Sequence, residues 1–233
     1  MNTSSQQQSF KCLYIVSSFF VATLIISNIA SSAKIVDLGI TLFDKIPLAF
    51  DGGTLLFPLA YVLGDVLTEV YGFKTAKKVI WMGFAALVFT ALFFFVLGRL
   101  PEETYWADET GGNDTFHAIL GGMSYGGIVL ASLAAYLVGE LSNAKVLSII
   151  KKKMQGRMLW VRTIGSSLVG QFLDTLIFML IATAAGVFPW EIFLSLLVTN
   201  YIFKCSFEAI VTPLTYKACA YLKRQEGIDV FDE

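Results

Sequence analysis

Six apolar stretches divide the chain, and polar or charged segments separate them. They cover about residues 13–33, 54–71, 79–100, 119–141, 163–187 and 191–214. A helix needs about 20 predominantly apolar residues to cross a bilayer, and each stretch is near that length. Between them lie a mixed-charge loop at 34–51, three lysines just after Tyr71 and a long acidic, aromatic loop after Leu100. A basic stretch at 143–162 and a tight turn at Pro189 complete the set. The pattern predicts an all-α integral membrane protein with six transmembrane helices, folded as a single domain over residues 1–233.

Polar residues interrupt three of the apolar stretches. In GTLLFPLAYVLGDVLTEVYG, Asp65 and Glu69 are four residues apart and share one helical face. In GQFLDTLIF, Gln171 and Asp174 are three apart and share another. In TNYIFKCSFEAIVTP, Asn200, Lys204 and Glu208 form a stripe at successive fourth positions. A charge at mid-bilayer costs about 2.5–3.5 kcal/mol on insertion scales, so these faces are expected to turn inward. Counted from the outer ends of their spans at roughly 1.5 Å per residue, the seven residues share a band on the order of 12 Å deep. That clustering predicts one polar chamber near the midplane, opening toward the cytoplasmic half. Its four carboxylates face one ammonium, so desolvation and mutual repulsion are expected to keep at least one acid protonated. Gly64 and Gly72, which flank the acids, are expected to be close-contact positions.

Composition agrees: 56% of the 233 residues are apolar and 15% charged, against about 25% charged in soluble domains. Placing the N-terminus inside puts 13 of the 17 Lys and Arg on the cytoplasmic side, as the positive-inside rule expects, with both termini there. A cleaved signal peptide fits poorly, because the first apolar run is long and only Lys11 precedes it. The basic stretch reads as a topology signal and a contact with anionic lipid, not a nucleic-acid site. Cys12, Cys205 and Cys219 have no metal spacing, and no nucleotide loop, cofactor motif or nucleophile–base set is present, so neither a cofactor nor an enzyme activity is expected.

Four readings of the polar residues compete: transport, a vitamin-binding subunit that needs a separate ATPase, an intramembrane acid–base enzyme built on Asp65 and Asp174, and structural glue such as a Lys204–Glu208 ion pair. The stretches FPLAYVLGDVLTEVYG with the lysines after it, GQFLDTLIF and NYIFKCSFEAIVTPLTY resemble the queuosine precursor transporter family, also called the vitamin uptake transporter family. The resemblance implies a six-helix inner-membrane importer of a 7-deazaguanine base, similar in architecture to the substrate-binding subunits of energy-coupling-factor transporters. An Ala-x-x-x-Ala docking motif of those subunits is absent: Ala22 is followed four on by Ile26 and Ala30 by Lys34. Coupling subunits and a homo-oligomer are left open as partners, beside the bilayer and a purine-like ligand. For such a base, carboxylates of Asp65, Glu69, Asp174 and Glu208 would accept its N–H groups. Lys204, Asn200 and Gln171 would donate to its carbonyl or ring nitrogens. Phe172, Phe203, Phe207, Tyr61 and Tyr201 are candidate stacking faces.

Overall fold

The structure, a computed structural model, describes residues 10–42, 46–121, 126–186 and 189–231. Residues 1–9, most of the glycine-rich 121–127 stretch and the expected end of the fifth span at Val187 lie outside the described residues. Helices dominate: α1 (Leu13–Ala33), α2 (Phe57–Tyr71), α3 (Phe73–Leu97), α4 (Thr104–Thr110), α5 (Gly112–Leu120), α6 (Gly126–Lys153), α7 (Leu159–Ala184) and α8 (Phe193–Glu226).

The loop expected at 34–51 is instead an antiparallel hairpin of β1 (Ile35–Leu42) and β2 (Ile46–Asp51), pairing Ile35 with Asp51 and Leu42 with Ile46. Alternating apolar residues in IVDLGITL and IPLAFD supply strand character that a membrane-scale reading of the loop overlooks. The acidic loop is also structured. Glu103 caps α4 by accepting from the backbone N–H groups of Tyr105 and Trp106, and those bonds hold its carboxyl below the usual value.

Long helices show one buried face and one apolar outer face. α1 buries Val16, Phe20, Leu24 and Ser27; α3 buries Ala76, Val79, Ile80, Gly83 and Leu87. Both sets follow helical spacing. The other side of α3 exposes Trp81, Met82, Phe89, Leu92 and Phe93, a surface that suits lipid and not water. Phe20, Val66, Leu67, Val70, Tyr71 and Ile80 form the centre of the core where α1, α2 and α3 meet.

Six of the helices run alternately up and down. The backbone N–H groups of Lys11 and Cys12, at the start of α1, donate to the Glu226 carboxylate at the end of α8 (2.9 and 2.5 Å). Tyr71, the last residue of α2, donates to the same carboxylate at 3.1 Å. Lys151, near the end of α6, donates to the Glu69 carbonyl at 2.6 Å, and Arg162, near the start of α7, reaches the Glu69 carboxylate at 3.1 Å. Gly72, at φ +81°, a conformation that favours glycine, turns α2 into α3 within one residue.

Among the described residues, four helices are long and apolar enough to cross a membrane: α1, α3, α7 and the 128–153 part of α6. The chain is therefore a multi-pass, predominantly helical membrane protein. The six expected crossings are not all shown, since α2 and α8 are not among these four. α2 has 15 residues, about 22 Å of helix against a hydrocarbon core of about 30 Å. α8 has 34 residues, runs past the expected end at Leu214, and carries charge along much of its length. It continues through Pro213, where the Thr212 hydroxyl donates to the Glu208 carbonyl beside the backbone bond that proline removes.

Candidate substrate site between four helices

α6 and α7 pack at backbone distance, and this positions the site. A Cβ added at Gly139 would lie 2.7 Å from the Asp174 Cβ, and one added at Gly170 would lie 2.6 Å from the Asn143 Cβ. Each helix thus offers a glycine to the polar residue of its neighbour. The two polar residues lie one turn beyond their own helix's glycine, at 139 and 143 and at 170 and 174. Small residues permit this approach where lipid supplies no hydrophobic drive between helices.

Around this seam the polar side chains pair off. The Asn143 side-chain amide donates to Asp65 at 2.9 Å, joining α6 to α2. The Ser167 hydroxyl and the Gln171 amide both donate to the Glu208 carboxylate, joining α7 to α8. Lys204 forms an ion pair with Asp174, also between α8 and α7. Glu140 on α6 is buried, and its Oε2 sits 3.0 Å from where a Cβ on Gly64 would stand, so Gly64 is a close-contact position. Asp65 lies within electrostatic reach of Glu140 and Glu208, Glu140 also within reach of Asp174, and Tyr61 within reach of Glu140, Asp174 and Glu208. Two buried amide oxygens, Asn143 Oδ1 and Gln171 Oε1, have no hydrogen-bond partner among the described residues. The cluster is therefore rich in acceptors. A cleft beside it, bordered by Ser167, Cys205 and Glu208, measures about 10 Å³, room for one water molecule.

The seven residues expected to share a chamber divide three ways. Asp65, Gln171, Asp174, Lys204 and Glu208 come together. Glu69 does not join them. It points toward the end of the bundle, where its Oε1 lies 2.6 Å from Lys223, 3.1 Å from Arg162 and 3.8 Å from Lys151. Asn200 is exposed, and its amide donates to the Leu196 carbonyl of its own helix. Lys204 pairs with Asp174 and not with Glu208 one turn along. Of the stacking candidates, Phe172 and Phe203 are largely exposed on the outer surface, and the Tyr201 hydroxyl donates to the Leu168 carbonyl.

Glu140, Asn143 and Ser167 escaped the sequence reading. Glu140 and Asn143 sat at a supposed span exit beside the basic stretch, although their i, i+3 spacing after Gly139 was a usable signal. Ser167, four residues before Gln171, was too ordinary to stand out.

The second cluster extends beyond Glu69. Lys151 and Lys223 both pair with Asp229, at 2.6 and 2.8 Å, and Lys151 also donates to the Val230 carbonyl at 2.6 Å and sits 4.5 Å over the Phe231 ring. The segment after α8 is thereby folded back against the ends of α2 and α6. Burial alone would raise the Asp229 carboxyl, but hydrogen bonds from Lys151 and Lys223, with their charges, outweigh it and hold it below its ordinary value.

Residues 51–218 match the family described as "Putative vitamin uptake transporter". The chain belongs to this family. The family match spans α2 to the middle of α8 and so takes in every residue of the polar cluster. Among relatives of the chain, a "Probable queuosine precursor transporter" of Bacillus subtilis is 29% identical over 75% of this chain and 73% of its own length. The "Queuosine precursor transporter" of Escherichia coli is 26% identical over 88% of this chain and 84% of its own. A "Probable queuosine precursor transporter" of Haemophilus influenzae is 30% identical over 65% and 60%. No solved structure matches the chain, so the likeness to energy-coupling-factor subunits rests on the sequence resemblance.

Proposed function

We propose that this protein imports a queuosine precursor, a 7-deazaguanine base, and binds it between α2, α6, α7 and α8. The observation that carries the reading is the acceptor-rich cluster: four acids, two unpartnered amide oxygens and one lysine, drawn from four helices. A guanine-like base presents adjacent N–H donors, and a carboxylate can accept two of them in charge-assisted bonds. Asp65 and Glu208 are placed to accept, with the Asn143 and Gln171 oxygens beside them. Lys204 is the donor for the carbonyl of the base. Asp65, Glu208 and Lys204 each satisfy a neighbour, and the adjoining cleft has room for only one water, so binding requires α8 to part from α7. That motion fits alternating exposure of a midplane site.

The single domain, with six helices crossing the inner membrane and both termini in the cytoplasm, completes the proposal. The up-and-down order of the helices and the gathering of Lys11, Lys151, Arg162 and Lys223 at one end support it. A short α2 is accommodated because α1, α3, α6 and α8 surround it, and buried membrane helices need not span the full core.

The test is uptake of labelled 7-cyano-7-deazaguanine, its aminomethyl derivative and queuine into proteoliposomes. Saturable uptake of at least one base, lost in Asp174→Asn and Lys204→Ala while both variants still insert, is the expected result. Failure of all three bases to enter, or full uptake by both variants, removes the proposal.

A further inference from the structure

A second concavity lies away from the polar cluster, between α3, α6 and α7. It is a groove of about 400 Å³, within the range of small-ligand sites, whereas the cleft beside Glu208 is far smaller. Its deeper part is apolar, with Leu141 on α6 and Val169 and Leu173 on α7. Lys145 lies one turn from Leu141 toward the basic end of the bundle, and Lys77 lies on the opposite wall in the first turns of α3. Both lysines are exposed, and neither has a carboxylate within ion-pair distance among the described residues. Lys145 stands 4.9 Å over the Phe73 ring, which holds its ammonium at the groove mouth without neutralising it. Elsewhere at this end Lys151, Arg162 and Lys223 are consumed by Glu69 and Asp229.

We propose that this groove is a binding site for an anionic phospholipid of the leaflet at the basic end. Lys77 and Lys145 take the phosphate, and Leu141, Val169 and Leu173 take the upper part of one acyl chain. The order of the lining along the helices decides for a lipid over a free anion: paired positive charge comes first, then a floor that is apolar apart from the Ser142 hydroxyl, running toward the membrane centre. A small soluble anion would gain nothing from that floor. The outer faces of the same helices expose Trp81 and Val169, so the groove opens where lipid already covers the protein. Basic hollows between membrane helices attract anionic head groups, each lysine contributing about fivefold in affinity near the surface. The proposal is independent of what the central site carries.

The purified full-length chain in micelles of a neutral detergent is titrated with dioleoylphosphatidylglycerol or dioleoylphosphatidylcholine, and retained lipid is counted by native mass spectrometry. The unaltered protein is expected to retain the glycerol lipid more tightly. K77Q/K145Q is expected to weaken it by about 25-fold, to the level of the choline lipid. K78Q/K152Q removes the same charge outside the groove and is expected to change it by less than about twofold. Leu173→Trp, which fills the floor, is expected to lower retention of both lipids while leaving the preference between them. The proposal is overturned by equal retention of the two lipids, by equal losses in the two double variants, or by unchanged retention in Leu173→Trp. Displacement of the glycerol lipid by 7-cyano-7-deazaguanine would also overturn it, since the groove would then belong to the substrate route.

Discussion

Asp65 and Glu69 stand one turn apart on α2, and both are buried, yet they face opposite kinds of company. Around Glu69 three cations converge, two of them almost wholly buried, and Asp229 shares two of the three. Around Asp65 the excess runs the other way: Glu140 and Glu208 are near, Asp174 lies within reach of Glu140, and among the described residues Lys204 is the ammonium paired there. The first cluster ties the ends of α2, α6, α7 and α8 together with matched charge. The second holds the same four helices with amides, a hydroxyl and one ion pair, and keeps acceptors in reserve. A site that must release and remake its contacts is better built from the second kind. Contacts of that kind are worth roughly 0.6 kcal/mol each between membrane helices, whereas uncovering a buried charge costs several.

Removing one charge from the matched cluster should have the largest effect. Glu69→Ala leaves Arg162 buried without its carboxylate, while Lys151 and Lys223 keep Asp229, and by analogy with other buried pairs this costs about 3–5 kcal/mol. We expect a marked loss of folded protein in detergent, read by thermal unfolding on size-exclusion chromatography. A Glu69→Ala variant that stays fully folded but loses uptake would move Glu69 back into the substrate site and dissolve the contrast.

In the acceptor-rich cluster the expected change is in uptake, not in folding. Asp174→Asn and Glu208→Gln each remove a charged acceptor, worth about 1.5–3 kcal/mol per bond, or roughly 10- to 100-fold in apparent affinity. Thermal stability should change little, because the neighbouring donors keep a polar partner. Loss of folding in step with loss of uptake would mean that the two clusters do the same job.

Tightening the seam should come next. Gly170→Ala pushes a methyl against the Asn143 side chain at 2.6 Å and the Gly139 carbonyl at 3.0 Å, so α6 and α7 must separate. Overpacking of this kind costs about 1–3 kcal/mol. Uptake and thermal stability should fall together, with Asn143 displaced from Asp65.

The smallest effect concerns Asp229. Its carboxyl is held below the ordinary value, so its contribution is complete above the unfolded pKa of about 3.9 and fades as pH falls through the lower folded value. The difference in unfolding temperature between the unaltered protein and Asp229→Asn should therefore be constant above about pH 4 and shrink below it. A difference that grows on acidification would contradict the assignment of Lys151 and Lys223 as its partners.

Hydrophobic blocks and the spacing of Asp65, Gln171, Asp174, Lys204 and Glu208 were enough to read a helical membrane protein with inward polar faces. That works because burial of a charge in lipid is costly enough to dictate direction from composition alone. Helical spacing, however, speaks only about neighbours on one helix. It aligned Lys204 with Glu208 and Asp65 with Glu69, while the partners that count lie on other helices. Arg162 and Lys151 lie in the basic stretch that reads as a topology signal and a lipid contact, since nothing local distinguishes a lysine at a membrane surface from one that reaches a buried acid. Which acid is neutralised and which is left facing acceptors was decided by packing. Gly139 and Gly170 let two backbones meet and thereby set Asp174 against Gly139 and Asn143 against Gly170, relations between two helices that no periodicity encodes.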